Sequence, residues 1–288
     1  MKLFKCIYHK DDVIYIQMDI ITICNQHCWY CYARPESDPS AKWGRIMSLD
    51  KAKKMLDAMK NIKYKIVLSI LGGEPTLHPE LNKIVEYASN INNIIKIEVF
   101  TNGRKPLKLK KVPKLSVNFS FHPTQTDGKQ ILENTKYLMN LEIPFAITCL
   151  YERDSDIFYN FMNELEKRNL IKCANIGIVD SHIKSRPLHV KIPDNKLFHK
   201  TNERIFERNG KLYTLNEIRD QKLNDFYGWK CYKRCLRVLV DGTVYIVGGD
   251  NVGLSYDEFK NYTVRVDICS GHCCNDDNNL LYNLKVKE

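Results

Sequence analysis

Three cysteines near the start of the chain stand close enough to share a metal centre. They follow the spacing Cys24-x3-Cys28-x2-Cys31. Three thiolates on so short a loop can bind three irons of a cubane cluster, and the fourth iron is then open to a substrate or cofactor. A zinc ion is the alternative, with His27 as a fourth ligand. The spacing therefore predicts a metal centre and leaves iron and zinc both open.

A second set of cysteines flanks a predicted β-hairpin in the last third of the chain. The hairpin is indicated by Asp241–Gly242 between alternating apolar residues. The cysteines of this set are Cys231, Cys235, Cys269, Cys273 and Cys274. Thiolates on both sides of a small β unit can close one tetrahedral site. We expect one iron–sulfur cluster here; a structural zinc and metal-free thiols are the alternatives.

The apolar pattern shows which elements position these cysteines. A buried strand at 13–22 leads directly into the first set, and a strand at 64–71 ends at Gly72–Gly73. Further strands are predicted at 94–101, 115–121, 144–150 and 174–179, and helices at 48–60, 79–90, 127–140 and 154–169, with Ser48 and Asp127 as helix caps. Alternating strands and helices predict an α/β fold with a mostly parallel sheet. Chemistry in such sheets takes place at the carboxyl ends of the strands.

Four sequence features together resemble the radical S-adenosylmethionine (SAM) superfamily. They are the cysteine triplet, Tyr30 directly before Cys31, the sequence GGEP at 72–75, and Thr101–Asn102–Gly103 at the end of a strand. The resemblance covers about residues 13–180. It implies a partial (β/α)6 TIM-like barrel over residues 1–185. Residues 186–288 would then supply linker helices and a small cysteine-rich C-terminal domain with a β-hairpin.

The resemblance also implies a role for each matching residue. Cys24, Cys28 and Cys31 would ligate a [4Fe–4S] cluster whose open iron binds SAM. The other SAM contacts would be Gly72, Gly73 and Glu74 at the amino group, Tyr30 beside the adenine, and Asn102 and Ser120 at the ribose, while His122 would contact SAM or substrate. The reduced cluster would cleave SAM to a 5′-deoxyadenosyl radical that abstracts a hydrogen atom. A flavodoxin or ferredoxin would supply the electron.

The second cysteine set resembles the SPASM and twitch extensions of radical SAM enzymes. These extensions imply an auxiliary [4Fe–4S] cluster and a peptide or protein side chain as the substrate. This sequence departs from the SPASM pattern at Val247–Gly248–Gly249, where another cysteine is usual. Five ligands cannot fill two four-cysteine clusters, so one auxiliary cluster is expected. A nucleoside, nucleotide or sugar substrate and a non-catalytic zinc module are the alternative functions.

Composition narrows the class of protein and its partners. The chain has 288 residues and a formal net charge of +10, which is compatible with nucleic acid, nucleotides or an acidic peptide as a partner. No apolar run reaches the roughly 18 residues of a membrane span, and residues 1–10 lack the apolar core of a signal peptide. We therefore expect a cytoplasmic protein without a membrane partner, in which most of the eleven cysteines bind metal rather than form disulfides.

Overall fold

The computed structural model describes residues 2–6, 12–31, 44–153, 155–178, 205–214, 217–218, 221, 223, 226–247, 252–269 and 284–287. The strands are β1 (Lys2–Cys6), β2 (Val13–Ile21), β3 (Lys65–Gly72), β4 (Ile94–Thr101), β5 (Leu115–Phe121), β6 (Phe145–Tyr151), β7 (Ala174–Ile178), β8 (Ile205–Arg208), β9 (Lys211–Thr214), β10 (Lys230–Lys233), β11 (Cys235–Val238), β12 (Val244–Ile246), β13 (Gly253–Leu254), β14 (Arg265–Ile268) and β15 (Leu284–Lys287). The α-helices are α1 (Leu49–Met59), α2 (Leu81–Ser89), α3 (Lys129–Asn140), α4 (Asp156–Lys167) and α5 (Tyr256–Lys260).

Six parallel strands form the centre of the larger sheet. Strands β2 to β7 pair in chain order, each parallel to the next. Helices α1 to α4 connect them, except between β4 and β5, where residues 102–114 contain no helix. The predicted partial (β/α)6 barrel is thereby confirmed. The carboxyl ends of its strands lie at one rim, and the three cysteines follow β2 at that rim.

Alternation along β2 separates the two faces of this sheet. Ile14, Ile16, Met18 and Ile20 belong to the large core that the helices cover. The residues between them, including Gln17 and Asp19, therefore point to the opposite, concave face. Because this face carries polar side chains, it is suited to binding a ligand.

The helix starts follow the sequence pattern with one difference. The Ser48 hydroxyl caps α1 by accepting a hydrogen bond from the Lys51 amide at 3.2 Å. Helix α3 begins one residue later than its predicted cap, Asp127, because Gly128 takes the N-cap position with a φ of 80°. A Cβ atom at Gly128 would collide with the Phe161 ring, so only glycine fits there. Across the described residues, every helix is too short or too polar to span a bilayer.

Residues beyond the barrel extend the same sheet. The predicted hairpin around Asp241–Gly242 forms between β11 and β12. Strand β11 pairs in parallel with β2, on the side opposite β3, and β12 and β13 continue the sheet in antiparallel order. The free edge of the first barrel strand is thus covered by a strand from the last quarter of the chain.

A second, six-stranded sheet has the order β14-β10-β15-β1-β8-β9. All its pairings are antiparallel. The helices expected after residue 186 do not extend over 205–214, where β8 and β9 form a hairpin instead. Its turn is Asn209–Gly210, with φ angles of 54° and 81°, as the type I′ turn requires. The predicted linker at 181–193 lies outside the described residues.

Candidate metal and cofactor site

The loop after β2 holds the three cysteines against the neighbouring strand. Cys28 is buried, whereas Cys24 and Cys31 are partly exposed. The Gly73 amide donates to the Ile21 carbonyl at 2.7 Å, and the Glu74 amide to the Ile23 carbonyl at 2.8 Å. The loop therefore leaves β2 in contact with the turn that ends β3.

The glycines of this turn are required by the packing of the backbone itself. A Cβ atom at Gly72 would collide with the Ile21 carbonyl oxygen, and one at Gly73 with the Ile23 carbonyl oxygen. Gly72 also has a φ of 138°, which side chains other than hydrogen rarely permit. The glycines therefore allow the two loops to approach each other closely, independently of any contact with a cofactor.

Burial and repulsion between neighbouring thiols raise the pKa values of Cys28 and Cys24. The pKa of Cys28 is raised to about 12, mainly by burial and then by the neighbouring Cys31 and Cys24. Burial likewise raises the pKa of Cys24. Three thiolates packed this closely need positive charge between them. An iron–sulfur cluster or a metal ion supplies such charge.

The donors around the thiols fit a cluster. The Gln26 side chain is buried; its Oε1 lies 3.8 Å from Cys28 Sγ, and its Nε2 has no hydrogen-bond partner. Asn102 Nδ2 lies 3.8 Å from Cys24 Sγ. An unpartnered buried N–H beside thiolates suits the anionic sulfur atoms of a cluster.

Among the described residues, no three His, Cys, Asp or Glu side chains converge on one ion position.

Glu74 ties the turn after β3 to the end of β4. Its carboxylate accepts hydrogen bonds from Thr101 Oγ1 at 2.7 Å and from the Asn102 amide at 2.7 Å. The Thr76 amide and hydroxyl also donate to it, at 3.0 and 2.6 Å. The Glu74 side chain is 1% exposed and accepts four hydrogen bonds, so it holds the neighbouring loop in place. The contact of Glu74 with the SAM amino group stays a prediction.

Asn102 reaches from β4 to the cysteine loop. Its Nδ2 donates to Asn25 Oδ1 at 2.8 Å, and its Oδ1 accepts from the Arg104 amide at 3.0 Å. Arg104 Nη1 in turn donates to the Asn25 carbonyl at 2.8 Å. The side chain predicted to contact the ribose therefore holds the loop that carries Cys24.

Tyr30 belongs to a hydrogen-bonded chain that ends at Glu152. The Tyr30 hydroxyl lies 2.9 Å from Glu152 Oε1 and 2.6 Å from His122 Nδ1. A carboxylate only accepts, so the single hydroxyl proton of Tyr30 goes to Glu152. His122 Nδ1 must then carry a proton and donate to the tyrosine oxygen. The same nitrogen lies 3.5 Å from Cys28 Sγ, so His122 connects the chain to a cysteine of the first set.

Glu152 is the residue that sequence analysis missed at this site. It is 4% exposed and accepts hydrogen bonds also from Trp29 Nε1 at 3.2 Å and Thr124 Oγ1 at 3.1 Å. Burial lowers the pKa of His122 to about 4, so the imidazole is neutral at pH 7. A single Glu just beyond a predicted strand gives no sequence signal of burial, and only its position after β6 could have drawn attention to it.

The second cysteine set is divided between the two sheets. Cys231 lies in β10, and the Cys269 amide donates to the Trp229 carbonyl at 2.8 Å. Residues 229 and 231 share a face of their strand, so Cys231 and Cys269 are neighbours on one face of the smaller sheet. Cys235 is packed apart from them, with Val13, Tyr15, Val67 and Val247 in the larger sheet. Cys273 and Cys274 lie outside the described residues.

Ser120 lies on the concave face of β5. It is partly exposed, whereas its neighbours Phe119 and Phe121 belong to the core under the helices.

Comparison with known families then decides what kind of site this rim carries. Residues 18–149 match the model of the Radical SAM superfamily. These residues have the sequence of a radical SAM domain. A [4Fe–4S] cluster with SAM is the norm of that family.

Curated relatives match part of the chain. A GTP 3′,8-cyclase from Haemophilus ducreyi is 35% identical over 89 residues, which is 31% of this chain and 26% of the relative. One from Clostridium acetobutylicum is 23% identical over 174 residues, 58% of this chain and 54% of the relative. This chain therefore matches between a quarter and about half of the length of these enzymes.

Two solved structures share the fold at low sequence identity. Streptococcus suis SuiB bound to S-adenosylmethionine is 13% identical, with a TM-score of 0.58, and the match covers 87% of this chain and 66% of SuiB. The structure titled native anSMEcpe with bound AdoMet and Kp18Cys peptide is 16% identical, with a TM-score of 0.51 and coverage of 81% and 74%. These similarities show a shared fold that extends beyond residue 149.

Proposed function

We propose that Cys24, Cys28 and Cys31 hold a [4Fe–4S] cluster that binds SAM, and that the chain uses it to abstract a hydrogen atom from a substrate. When bound, these cofactors supply a 5′-deoxyadenosyl radical. The observation that carries the proposal is the meeting of three thiols with the unpartnered Gln26 Nε2 at the carboxyl end of β2. A flavodoxin or ferredoxin is the proposed reductant.

The protein side chains then have a positioning function. Glu74 and Asn102 fix the loop on the β4 side, and Glu152 fixes it on the β6 side through Tyr30. The proposed contacts for the SAM amino group are Gly72, Gly73 and Glu74, with Tyr30 beside the adenine and Asn102 and Ser120 near the ribose. Burial of this rim excludes water from the reacting atoms.

Iron and sulfide analysis together with EPR spectroscopy tests this proposal. The anaerobically reconstituted and reduced protein is compared with a Cys24→Ala/Cys28→Ala/Cys31→Ala variant. The wild type should show a signal that SAM perturbs, and the variant should lose about four irons and the SAM effect. Cys173→Ser, a thiol in a turn away from the rim, is the matched control and should keep both. Zinc without iron, or a SAM effect that survives the triple change, would overturn the proposal.

An auxiliary [4Fe–4S] cluster is proposed for the second cysteine set. Cys231 and Cys269 on one face of the smaller sheet support it, and Cys273 and Cys274 follow Cys269 closely in sequence. Cys235 is the weakest candidate ligand, because its side chain is packed among apolar residues of the other sheet. A structural zinc ion would use the same thiolates.

A peptide or protein side chain is the proposed substrate. The similarity to the anSMEcpe structure, whose title names a bound peptide, supports it. The second candidate is a nucleotide-type substrate, favoured by the 35% identity to a GTP 3′,8-cyclase and by the net charge of +10. Formation of 5′-deoxyadenosine on addition of GTP or of a cysteine- or serine-containing peptide separates these candidates.

A further inference from the structure

Three neutral polar side chains form a row across the concave face of the barrel. Ser120, Thr148 and Asn175 are register partners on the adjacent strands β5, β6 and β7. Their strand neighbours on either side, such as Phe121, Cys149 and Ala174, belong to the core under the helices. The row therefore faces the barrel interior. Adjacent strands are about 4.8 Å apart, so the row spans about 10 Å.

None of the three side chains has a hydrogen-bond partner within the described residues. All three are partly exposed, so each retains a hydroxyl or amide group for a ligand. Thr135 provides the contrast, since its buried hydroxyl donates to the Leu132 carbonyl at 2.8 Å. Polar groups that stabilise the fold are paired in this way, whereas those of the row are not.

The row is close to the proposed radical site. Ser120 precedes His122 by two residues, which is a rise of about 6.6 Å along a strand. His122 Nδ1 lies 3.5 Å from Cys28 Sγ. A substrate that rests on the row would thus be held directly below the cysteine loop.

Charge on this face is balanced by internal ion pairs. Arg237 Nη2 lies 2.9 Å from Asp19 Oδ2, and Lys96 Nζ lies 2.6 Å from Glu98 Oε1. Within the part of the chain that the structure describes, a group that enters the barrel therefore meets neutral hydrogen-bonding partners instead of a cationic pocket. Hydroxyl and amide groups suit such a surface, and a phosphate does not.

We propose that Thr148 and Asn175, next to Ser120, form the substrate-recognition surface of this enzyme and select an uncharged hydroxyl- or amide-bearing group. This inference deepens the proposed function and rests on it. The sugar and base of a nucleoside and the backbone of a peptide share this chemistry. Ser120 is shared with the proposed SAM contact, so Thr148 and Asn175 carry the specificity.

Equilibrium binding of two uncharged probes tests the proposal. Guanosine and N-acetyl-trialanine amide are each titrated, with SAM present, into the reconstituted full chain and into its Thr148→Val and Asn175→Leu variants. At least one probe should bind at millimolar concentration, and each variant should weaken it about tenfold. Which probe binds tells the nucleoside source from the peptide source.

Two controls show that the variants report on recognition. Thr148→Val should leave the melting temperature unchanged, whereas Thr135→Val should lower it because a buried hydrogen bond is lost. SAM affinity, read from the EPR signal, should be the same in wild type and in both row variants. If the row variants weakened SAM instead of the probe, or if neither probe bound the wild type, the proposal would be wrong.

Failure of the proposed function is recognised separately. Probe binding is repeated without SAM on the Cys24→Ala/Cys28→Ala/Cys31→Ala variant, which keeps the row. If the wild type lacks iron but probe binding by the triple variant still depends on Thr148, the recognition surface is supported and the radical chemistry is wrong. If the wild type holds iron and responds to SAM but probe binding does not depend on Thr148 or Asn175, the radical chemistry is supported and the recognition surface is wrong.

Discussion

Arg237 Nε donates a hydrogen bond of 2.9 Å to Asp19 Oδ2, 218 positions earlier in the chain, and Arg237 Nη2 forms an ion pair of 2.9 Å with the same oxygen. The other oxygen, Asp19 Oδ1, is buried without a hydrogen-bond partner. Burial raises the pKa of the Asp19 carboxyl, and the Arg237 guanidinium opposes that shift. The pair thus links the first barrel strand to the strand that covers its edge.

Removing Arg237 should leave an uncompensated buried carboxylate. We expect Arg237→Met to lower the free energy of unfolding by about 3 kcal/mol at pH 8. The folded-state pKa of Asp19, already raised, should rise further, so stability falls as pH rises through it and the loss shrinks at acidic pH. Urea denaturation at pH 5 and pH 8 measures this. Asp19→Leu/Arg237→Met should regain much of the loss; a double variant as unstable as the single one would contradict this reading.

Glu152→Gln should loosen the cysteine loop without unfolding the barrel. The change keeps the side-chain shape but removes the negative charge of the group that accepts hydrogen bonds from Trp29, Tyr30 and Thr124. The attachment of the cysteine loop should weaken by about 1–3 kcal/mol. Faster loss of iron to a chelator and altered tryptophan emission are the expected results. Glu142→Gln, at an exposed ion pair with Lys111, is the control and should behave as wild type. Equal iron retention in both variants would exclude an anchoring role.

Gly73→Ala should be among the most damaging single changes at the rim. The added methyl group has no space beside the Ile23 carbonyl, so the turn after β3 must move away from the cysteine loop. Destabilisation of about 2 kcal/mol or more is expected, together with poor cluster reconstitution. Gly253→Ala, where nothing lies within 4 Å of the added atom, should change the unfolding midpoint little. A Gly73→Ala protein with normal stability and iron content would refute the packing explanation.

Iron content separates the proposed ligands of the auxiliary site. A Cys231→Ser/Cys269→Ser variant should lose about four irons while the SAM-perturbed EPR signal remains. Cys235→Ala is expected to keep its iron, because that thiol is buried among apolar side chains. Loss of zinc instead of iron from the double variant would assign a structural metal. Iron loss in Cys235→Ala would show that the thiol turns toward the site when metal is bound.

Local patterns predicted the barrel strands closely. Strands β4 and β5 have the predicted bounds, because apolar runs and the Asn102–Gly103 signal mark their ends. The hairpin at Asn209–Gly210 was missed although its dipeptide is a strong turn signal. Pairing of β11 with β2 has no local signal at all, since the partners are more than 200 residues apart.

At the site, residue types predicted the chemistry better than the geometry. The cysteine triplet and the GGEP turn marked the rim, but the sequence did not show that Glu74 accepts four hydrogen bonds from its own loop and from β4. Burial of Glu152 depends on how three elements meet around it. Such convergence depends on tertiary packing, which a single sequence does not display.

Coverage of β2 by β11 also bears on how the chain is made. During synthesis the six barrel strands are complete once residue 178 has emerged, yet β2 then presents a row of unpaired N–H and C=O groups until residues 235–238 follow. In that interval a second nascent chain can add to the open edge. A fragment ending near residue 185 would keep the edge open permanently. It should elute as assemblies in size-exclusion chromatography, so the barrel is best produced with its C-terminal strands attached.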